Sequence, residues 1–291
     1  MFMFYYYGII SVLGLFATVS GLTEASPIAL PDTPAKSHIE KRGDHPLWDV
    51  SPKWQDIKKD KFDNEWFLVA AATLVNWDSQ KIKDRISAMQ TSKKRADNVD
   101  VVTVELWNKE GAKWEKRDVK YSSITADYSG SNQYWWIAAL EDAAMRIGGL
   151  GGKGIDKDGF TDGDSHFAYQ MLTGEEADLY ETDRDAKTYK NEIWKVLEKA
   201  TESSVCIKTG PNPDKNDGLR KNTWYGILRA EGLSFDDEGN EIGEGQVYLF
   251  DAKEGKEFYL GFEHIQDDIA WYSKPKYLMP DPDVDPSISA P

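Results

Sequence analysis

The stretch from Asp63 to Asn76, Asp-Asn-Glu-Trp-Phe-Leu-Val-Ala-Ala-Ala-Thr-Leu-Val-Asn, constrains the fold of this chain more than any other. From Trp66 to Val75 every residue but Thr73 is apolar. Its alanine content predicts a helix over 64–76, and its apolar residues leave that helix no polar side. Such a helix must be enclosed by the rest of the protein. Asp63 and Asn64 are residue types that favour the start of a helix, where a short polar side chain can accept from a free backbone N–H. The remaining composition supplies material for the enclosure. The 291 residues are 40% hydrophobic and include 11 Trp, 14 Tyr and 11 Phe, an aromatic mass that disordered chains do not carry.

The ends read differently from the middle. Phe2 to Leu22 is almost wholly apolar, with a core over Gly8–Val19 and small residues at Ala25-Ser26, the pattern of a signal peptide over residues 1–25. No other segment approaches the roughly 20 apolar residues of a membrane span. Residues 26–42 carry Pro27, Pro31 and Pro34 and end in Lys41-Arg42, which reads as a propeptide with a dibasic processing site. The expected organisation is therefore a signal peptide, a propeptide, a folded domain over 43–279 and a Pro/Asp/Ser-rich disordered tail over 280–291, in a secreted, extracellular protein without a membrane anchor once the leader is removed. The net charge of −15 belongs to the folded part, because Lys36, Lys41 and Arg42 balance Glu24, Asp32 and Glu40 within residues 1–42. That charge repels phosphate backbones and argues against a nucleic-acid partner. Cys206 is the only cysteine, so the chain has neither an internal disulfide nor a Cys-rich zinc site. It lies in the run Ser203-Ser204-Val205-Cys206-Ile207, where a thiol reads as a small buried hydrophobe and more weakly as a nucleophile.

Along the domain, a second helix is predicted over 78–90, with Ile82, Ile86 and Met89 at helical spacing. Val101–Trp107 reads as a strand, Asn108–Gly111 as a turn and Ala112–Ile124 as the paired strand. Gln133–Gly148 is predicted helical, ended by a glycine run at 148–152. Tyr189–Thr201 is a further amphipathic helix. Strands are expected over Val205–Lys208, Trp224–Ala230 and Gln246–Asp251, with Phe235–Gly245 as the acidic turn joining the last two. Helices first and antiparallel strands later give an α+β class.

Several segments together resemble the catalytic core of calpain-type, papain-like cysteine proteases. The family's Gly-Asp-Cys-Trp-Leu-Leu-Ala-Ala resembles Asp63-Asn64-Glu65-Trp66-Phe67-Leu68-Val69-Ala70. Its strand after that helix is matched by Val104-Glu105-Leu106-Trp107, and its Asn-Glu-Phe-Trp-x-x-Leu-Leu-Glu-Lys-Ala-Tyr by Asn132-Gln133-Tyr134-Trp135-Trp136-Ile137-Ala138-Ala139-Leu140-Glu141-Asp142-Ala143. Its Phe-Glu-Asp-Phe-Thr-Gly-Gly is echoed by Phe167 to Glu175, and its Lys-Gly-His-Ala-Tyr-Ser by Lys221-Asn222-Thr223-Trp224-Tyr225-Gly226. The segments keep the family's order over roughly residues 45–272. The resemblance implies a two-lobed fold, a helical lobe followed by an antiparallel β lobe.

The resemblance also implies where the chemistry belongs. The family uses a Cys thiolate, a His base, an orienting Asn and an oxyanion-binding Gln. Here Glu65 stands at the Cys position, Thr223 at the His position and Asp251 at the Asn position, while Lys59 falls at the oxyanion position and Gln55 is the nearest glutamine. His45, His166 and His264 match no family position. The expectation is a secreted pseudoprotease that binds a protein or peptide in the former substrate cleft, lined by Trp66, Trp136, Trp224 and Tyr225. Two alternatives stand beside it: a calcium-dependent cysteine-type endopeptidase by family, and a hydrolase repurposed around a Glu65–Asp251 carboxylate pair. No cofactor is required, but the resemblance leaves room for calcium. The candidate ligands are Asp156, Asp158, Asp162 and Asp164, in a loop that departs from the EF-hand pattern and reads equally as an acidic surface loop.

Overall fold

The helix that the sequence singles out, α1 (Glu65–Lys83), is enclosed as its composition demands, with Trp66 to Val75 all buried. The computed structural model describes residues 46–276, apart from 59, 89–98, 131–133, 149–153, 157–158, 187, 214–217 and 237. The expected signal peptide, propeptide and tail lie outside the described residues. Helices and antiparallel sheets together form an α+β arrangement, in which α1 packs chiefly on α3 and on the strands of the larger sheet.

A three-stranded antiparallel sheet is formed by β1 (Ile86–Ala88), β2 (Val101–Asn108) and β3 (Lys113–Lys120), in that order. Its inner face presents Val102, Val104 and Leu106, alternating with half-buried residues as a one-sided sheet requires. α2 (Trp136–Ile147) packs on β2 and β3. A two-stranded ribbon follows, β4 (Ile155–Asp156) with β5 (Gly159–Phe160), and then α3 (Ser165–Thr173), which lies against α1. β6 (Ala177–Glu181) and α4 (Tyr189–Glu198) lead into β7 (Val205–Thr209), β8 (Trp224–Phe235), β9 (Glu241–Asp251), β10 (Lys256–Gly261), the short α5 (Phe262–Ile265) and β11 (Ile269–Pro275). The strands from β6 onward form one antiparallel sheet in the order β10-β9-β8-β7-β11-β6.

The centre of this sheet, in β7 and the adjoining halves of β8 and β9, is buried on both faces, and strand alternation sorts its side chains. Cys206, Trp224 and Phe250 point toward α1 and join the larger core. Val205, Ile207, Tyr225, Ile227, Val247 and Leu249 point the other way, onto Ile193, Trp194 and Leu197 of α4. Each fully buried large side chain contributes about 1.5–3 kcal/mol relative to exposure, so a one-residue slip of β7 or β9 would forfeit several of these at once.

Three sequence expectations are corrected. The helix expected over 78–90 ends at Lys83, and Ile86 begins a strand paired with Val104. Ile82 and Ile86 are both buried, so their spacing satisfied the helical period although one lies on α1 and the other on β1. The break expected after Asn76 is present as a kink at Asp78 (φ −148°, ψ 96°), whose carboxylate accepts from the Gln80 N–H at 2.9 Å and restarts the helix. The paired strand expected to reach Ile124 ends at Lys120, and a 3-10 turn takes Tyr121–Ser123. The acidic turn expected over 235–245 is shorter, because β8 and β9 run on to Phe235 and back from Glu241. Glycine makes the extension possible: a Cβ at Gly243 would stand 2.3 Å from the Gly232 carbonyl, and Gly232 itself has φ +92°.

Candidate functional site

The start of α1 opens into a cleft of about 300 Å³. Residues 60–65 form one wall; Arg220 and Ala252–Glu254, from the turn between β9 and β10, form the other; Leu68 lies at the floor. Glu65 and Leu68 belong to α1 itself, so the cleft lies where the polar start of the helix reaches the surface.

The residues standing for a nucleophile, a base and an orienting group are each committed elsewhere. Glu65 is the first residue of α1, where the helix end favours an anion. Its carboxylate faces Lys253 Nζ at 3.6 Å, with 12% of the Glu65 side chain and 43% of the Lys253 side chain exposed. Thr223 is buried just before β8, and its hydroxyl donates to the Lys221 carbonyl at 3.0 Å while its N–H donates to Thr209 Oγ1 at 3.0 Å. A hydroxyl used this way has no basic nitrogen and accepts no proton from a nucleophile. Asp251 ends β9, and both of its oxygens are taken by Arg220, Nη1 to Oδ2 at 2.9 Å and Nη2 to Oδ1 at 2.5 Å. The Glu254 N–H adds a third bond to Asp251 at 3.2 Å. The carboxylate pair weighed for Glu65 and Asp251 is thus replaced by two ion pairs, each carboxylate with its own cation. Lys59 lies outside the described residues, and Gln55 is exposed.

The aromatic cleft expected from the sequence is also corrected. Trp66, Trp136, Trp224 and Tyr225 are all buried and none lies in the wall of the cleft. Their polar atoms explain their positions. Trp66 Nε1 donates to the Thr161 carbonyl and Trp224 Nε1 to the Gly163 carbonyl, each at 3.0 Å, so the two indoles pin the acidic loop to the core. Trp136 Nε1 donates to Asp56 Oδ2 at 2.9 Å, tying α2 to the leading segment. Tyr225 Oη accepts from the Arg220 N–H at 2.9 Å. Burial raises the Tyr225 phenol, against the Arg220 N–H and guanidinium, which act to lower it.

Among the described residues the acidic loop does not present a cation site. Lys208 Nζ lies 3.3 Å from Asp164 and 4.0 Å from Asp162, so an ammonium already answers these two carboxylates. Asp158 and the side chain of Asp156 lie outside the described residues. Among the described residues no group of three His, Cys, Asp or Glu side chains is placed to hold a metal ion.

Cys206 is buried, as its strand setting predicts. Its Sγ lies 3.0 Å from Tyr169 Oη and 3.7 Å from Thr73 Oγ1. Burial pushes the thiol up to about 12, which removes the thiolate a nucleophile needs. His166 is half-buried on α3 with Nδ1 unpartnered, and burial lowers its pKa and keeps it neutral. His264 lies on α5 beside Glu263. Neither histidine lines the cleft.

Sequence reading missed the residues that shape the site. Arg220 and Lys253 had no local signal, since their partners Asp251 and Glu65 are distant in the chain. Glu141 did have one. It is a carboxylate in the middle of α2, where Trp136 to Ala144 are all buried. Behind the cleft wall it receives Asn64 Nδ2 at 2.6 Å and the Ser129 N–H at 3.0 Å, and the same Asn64 amide group donates to Asp60 Oδ2 at 2.8 Å. Asn64 therefore precedes α1 as expected, but its side chain does not cap the helix.

Compared with known protein families and with characterised proteins, the sequence has no significant match.

Proposed function

We propose that the chain is a calpain-like pseudoprotease: a two-lobed, papain-like domain without peptidase chemistry that binds a protein or peptide segment in the cleft at the start of α1. The observation that carries this reading is the fate of the three family positions. Glu65 lines the cleft and is held by Lys253, Asp251 is held by Arg220, and Thr223 spends its hydroxyl on a backbone carbonyl. A thiolate–imidazole pair has no equivalent there, and a carboxylate facing an ammonium is a poor nucleophile toward an amide. The cleft itself stays open. Its walls present charges of both signs and backbone groups at a helix terminus, the features that hold an extended chain by hydrogen bonds and ion pairs. We further propose that the domain is secreted, with residues 1–25 as leader and release after Lys41-Arg42.

The test uses the purified chain with a fluorescent unfolded-protein substrate, with and without calcium, beside the Glu65→Cys/Thr223→His double variant. Saturable binding without cleavage by the wild type supports the reading, and cleavage by the double variant would add that the family geometry survives. Wild-type cleavage abolished by Glu65→Ala would overturn it in favour of a carboxylate mechanism.

A further inference from the structure

The strongest unexplained feature is a pair of acids behind the cleft wall. Asp60 lines the cleft, and Glu141 is fully buried beneath it. One amide nitrogen, Asn64 Nδ2, donates to both, to Asp60 Oδ2 at 2.8 Å and to Glu141 Oε1 at 2.6 Å, which holds the two carboxyls around a single group. A carboxyl that is fully buried beside a second carboxyl, with only neutral donors around it, favours the protonated form. The remaining oxygens are supplied from elsewhere. Asn64 Nδ2 donates to both residues, at 2.8 and 2.6 Å, the Ser129 N–H donates to Glu141 at 3.0 Å, and the Phe62 N–H donates to Asp60 at 3.1 Å. All of these donors are neutral amides, so none brings a positive charge to offset two carboxylates.

The surrounding charges do not change that count. On the pair's own segment, Lys61 is paired with Asp127, while Lys58 is exposed and contributes only backbone atoms, to Ser129. Lys59 lies outside the described residues, and Asp63 adds a like charge to the same wall. From α1, Glu65 is answered by Lys253. From α2, Asp142 is answered by Arg146 at 2.8 Å and accepts from the Tyr128 hydroxyl. Across the cleft, Arg220 is committed to Asp251, with Glu254 at 4.0 Å. Among the described residues no cation forms an ion pair with Asp60 or Glu141.

We propose that Asp60 and Glu141 share a single proton that fixes the wall of the cleft, so that peptide binding is strongest in acid and is lost as the pair gives up that proton. The inference rests on the peptide-binding reading and adds its regulation. Burial, and then the hydrogen bond and charge of Asp60, hold Glu141 well above the ordinary glutamate range; burial also raises Asp60. Loss of the proton leaves two like charges on the one Asn64 amide. Asp60 is the member with access to solvent, and its movement carries the Phe62 and Asn64 contacts with it. The wall of the cleft and the start of α1 then lose their common anchor.

Two measurements on the full chain decide the matter. The first follows the side-chain carboxyl carbons by NMR from pH 4 to 8. The second measures polarisation of a dye-labelled, unstructured casein peptide over the same range. We expect one carboxyl to titrate well above the ordinary range. We also expect Kd to rise by up to about tenfold per pH unit through that titration, the limit for one linked proton. Glu141→Gln and Asp60→Asn, which each supply a permanent donor to the pair, should flatten the profile toward the acid affinity; agreement of either one is sufficient if the other fails to fold. Binding with a Kd independent of pH, or carboxyls that all titrate normally, overturns the inference and leaves the peptide reading intact. Absence of binding at every pH overturns both.

Discussion

Replacing Arg220 by Met should destabilise the domain far more than an ordinary surface substitution. Asp251 is 5% exposed at its side chain and receives two bonds from the Arg220 guanidinium, at 2.9 and 2.5 Å. After the substitution only the Glu254 N–H, at 3.2 Å, would serve that carboxylate. Removing one partner of a fully buried pair costs about 3–5 kcal/mol, because the other charge stays desolvated. Arg220 is 34% exposed, so solvent can partly answer Asp251, and the discounted expectation is about 2–3 kcal/mol. For a domain of this size that is a fall of roughly 4–12 °C in Tm. Urea unfolding followed by tryptophan fluorescence reads it directly. The double variant Arg220→Met/Asp251→Asn should recover part of the loss, because the orphaned charge has gone. A loss under about 0.5 kcal/mol in the single variant, the range of neutral surface changes, would show that Arg220 does not hold Asp251 in solution. A double variant no better than the single would refute the assignment of the loss to a stranded charge.

Other outcomes follow from the same geometry. Native Cys206 should resist thiol reagents at pH 8, where a thiol near 12 is about one part in ten thousand thiolate, and should react fully once urea unfolds the chain. Gly163→Ala should cost about 1–3 kcal/mol, measured as a Tm shift, because its Cβ would stand 2.6 Å from the Trp66 ring. Stability should also fall as pH rises. A raised Glu141 means the native state holds a proton that the unfolded chain releases from about the ordinary value of 4.5 upward, so the contribution is complete below that value and is lost as pH climbs to the native one. The limiting slope is about 1.4 kcal/mol per pH unit. Glu141→Gln should remove it, as a urea series between pH 4.5 and 7 would show.

Much of the scaffold was legible because its signals are local. The apolar run of α1, the Val101–Trp107 alternation and the amphipathic α4 each declare themselves within one element. Where two elements share a buried spacing, as Ile82 and Ile86 do across the end of α1, periodicity cannot place the boundary. β6, β10 and β11 escaped because their burial is slight or irregular and gives no period-two pattern, and for β6 and β11 the pairing partner lies far along the chain. The tryptophans show the same limit in chemistry. Trp66 and Trp224 were assigned to a ligand, but each indole N–H had a backbone carbonyl of the loop to satisfy, a partner about 95 and 61 residues away.

Glu65 shows how far a local signal reaches, since the helix start can be read from sequence and its partner cannot. The start of an enclosed helix must present free N–H groups and a positive dipole end, whatever the family. That field favours an anion at position 65 and does not choose between a thiolate and a carboxylate. Exchanging one for the other therefore preserves the electrostatics of the helix start while ending the nucleophilic chemistry, and Lys253, which no local pattern marks, then completes the pair. The argument can be checked without any peptidase assay. In Glu65→Cys the introduced thiol should titrate below the ordinary thiol value and react rapidly with iodoacetamide at neutral pH, while Cys206 stays silent in the same molecule. Lys253→Met in that background should slow the reaction but not abolish its advantage, since the helix terminus remains. If the introduced thiol titrated normally, the anion at this position would owe nothing to the helix, and Glu65 would be there for Lys253 alone.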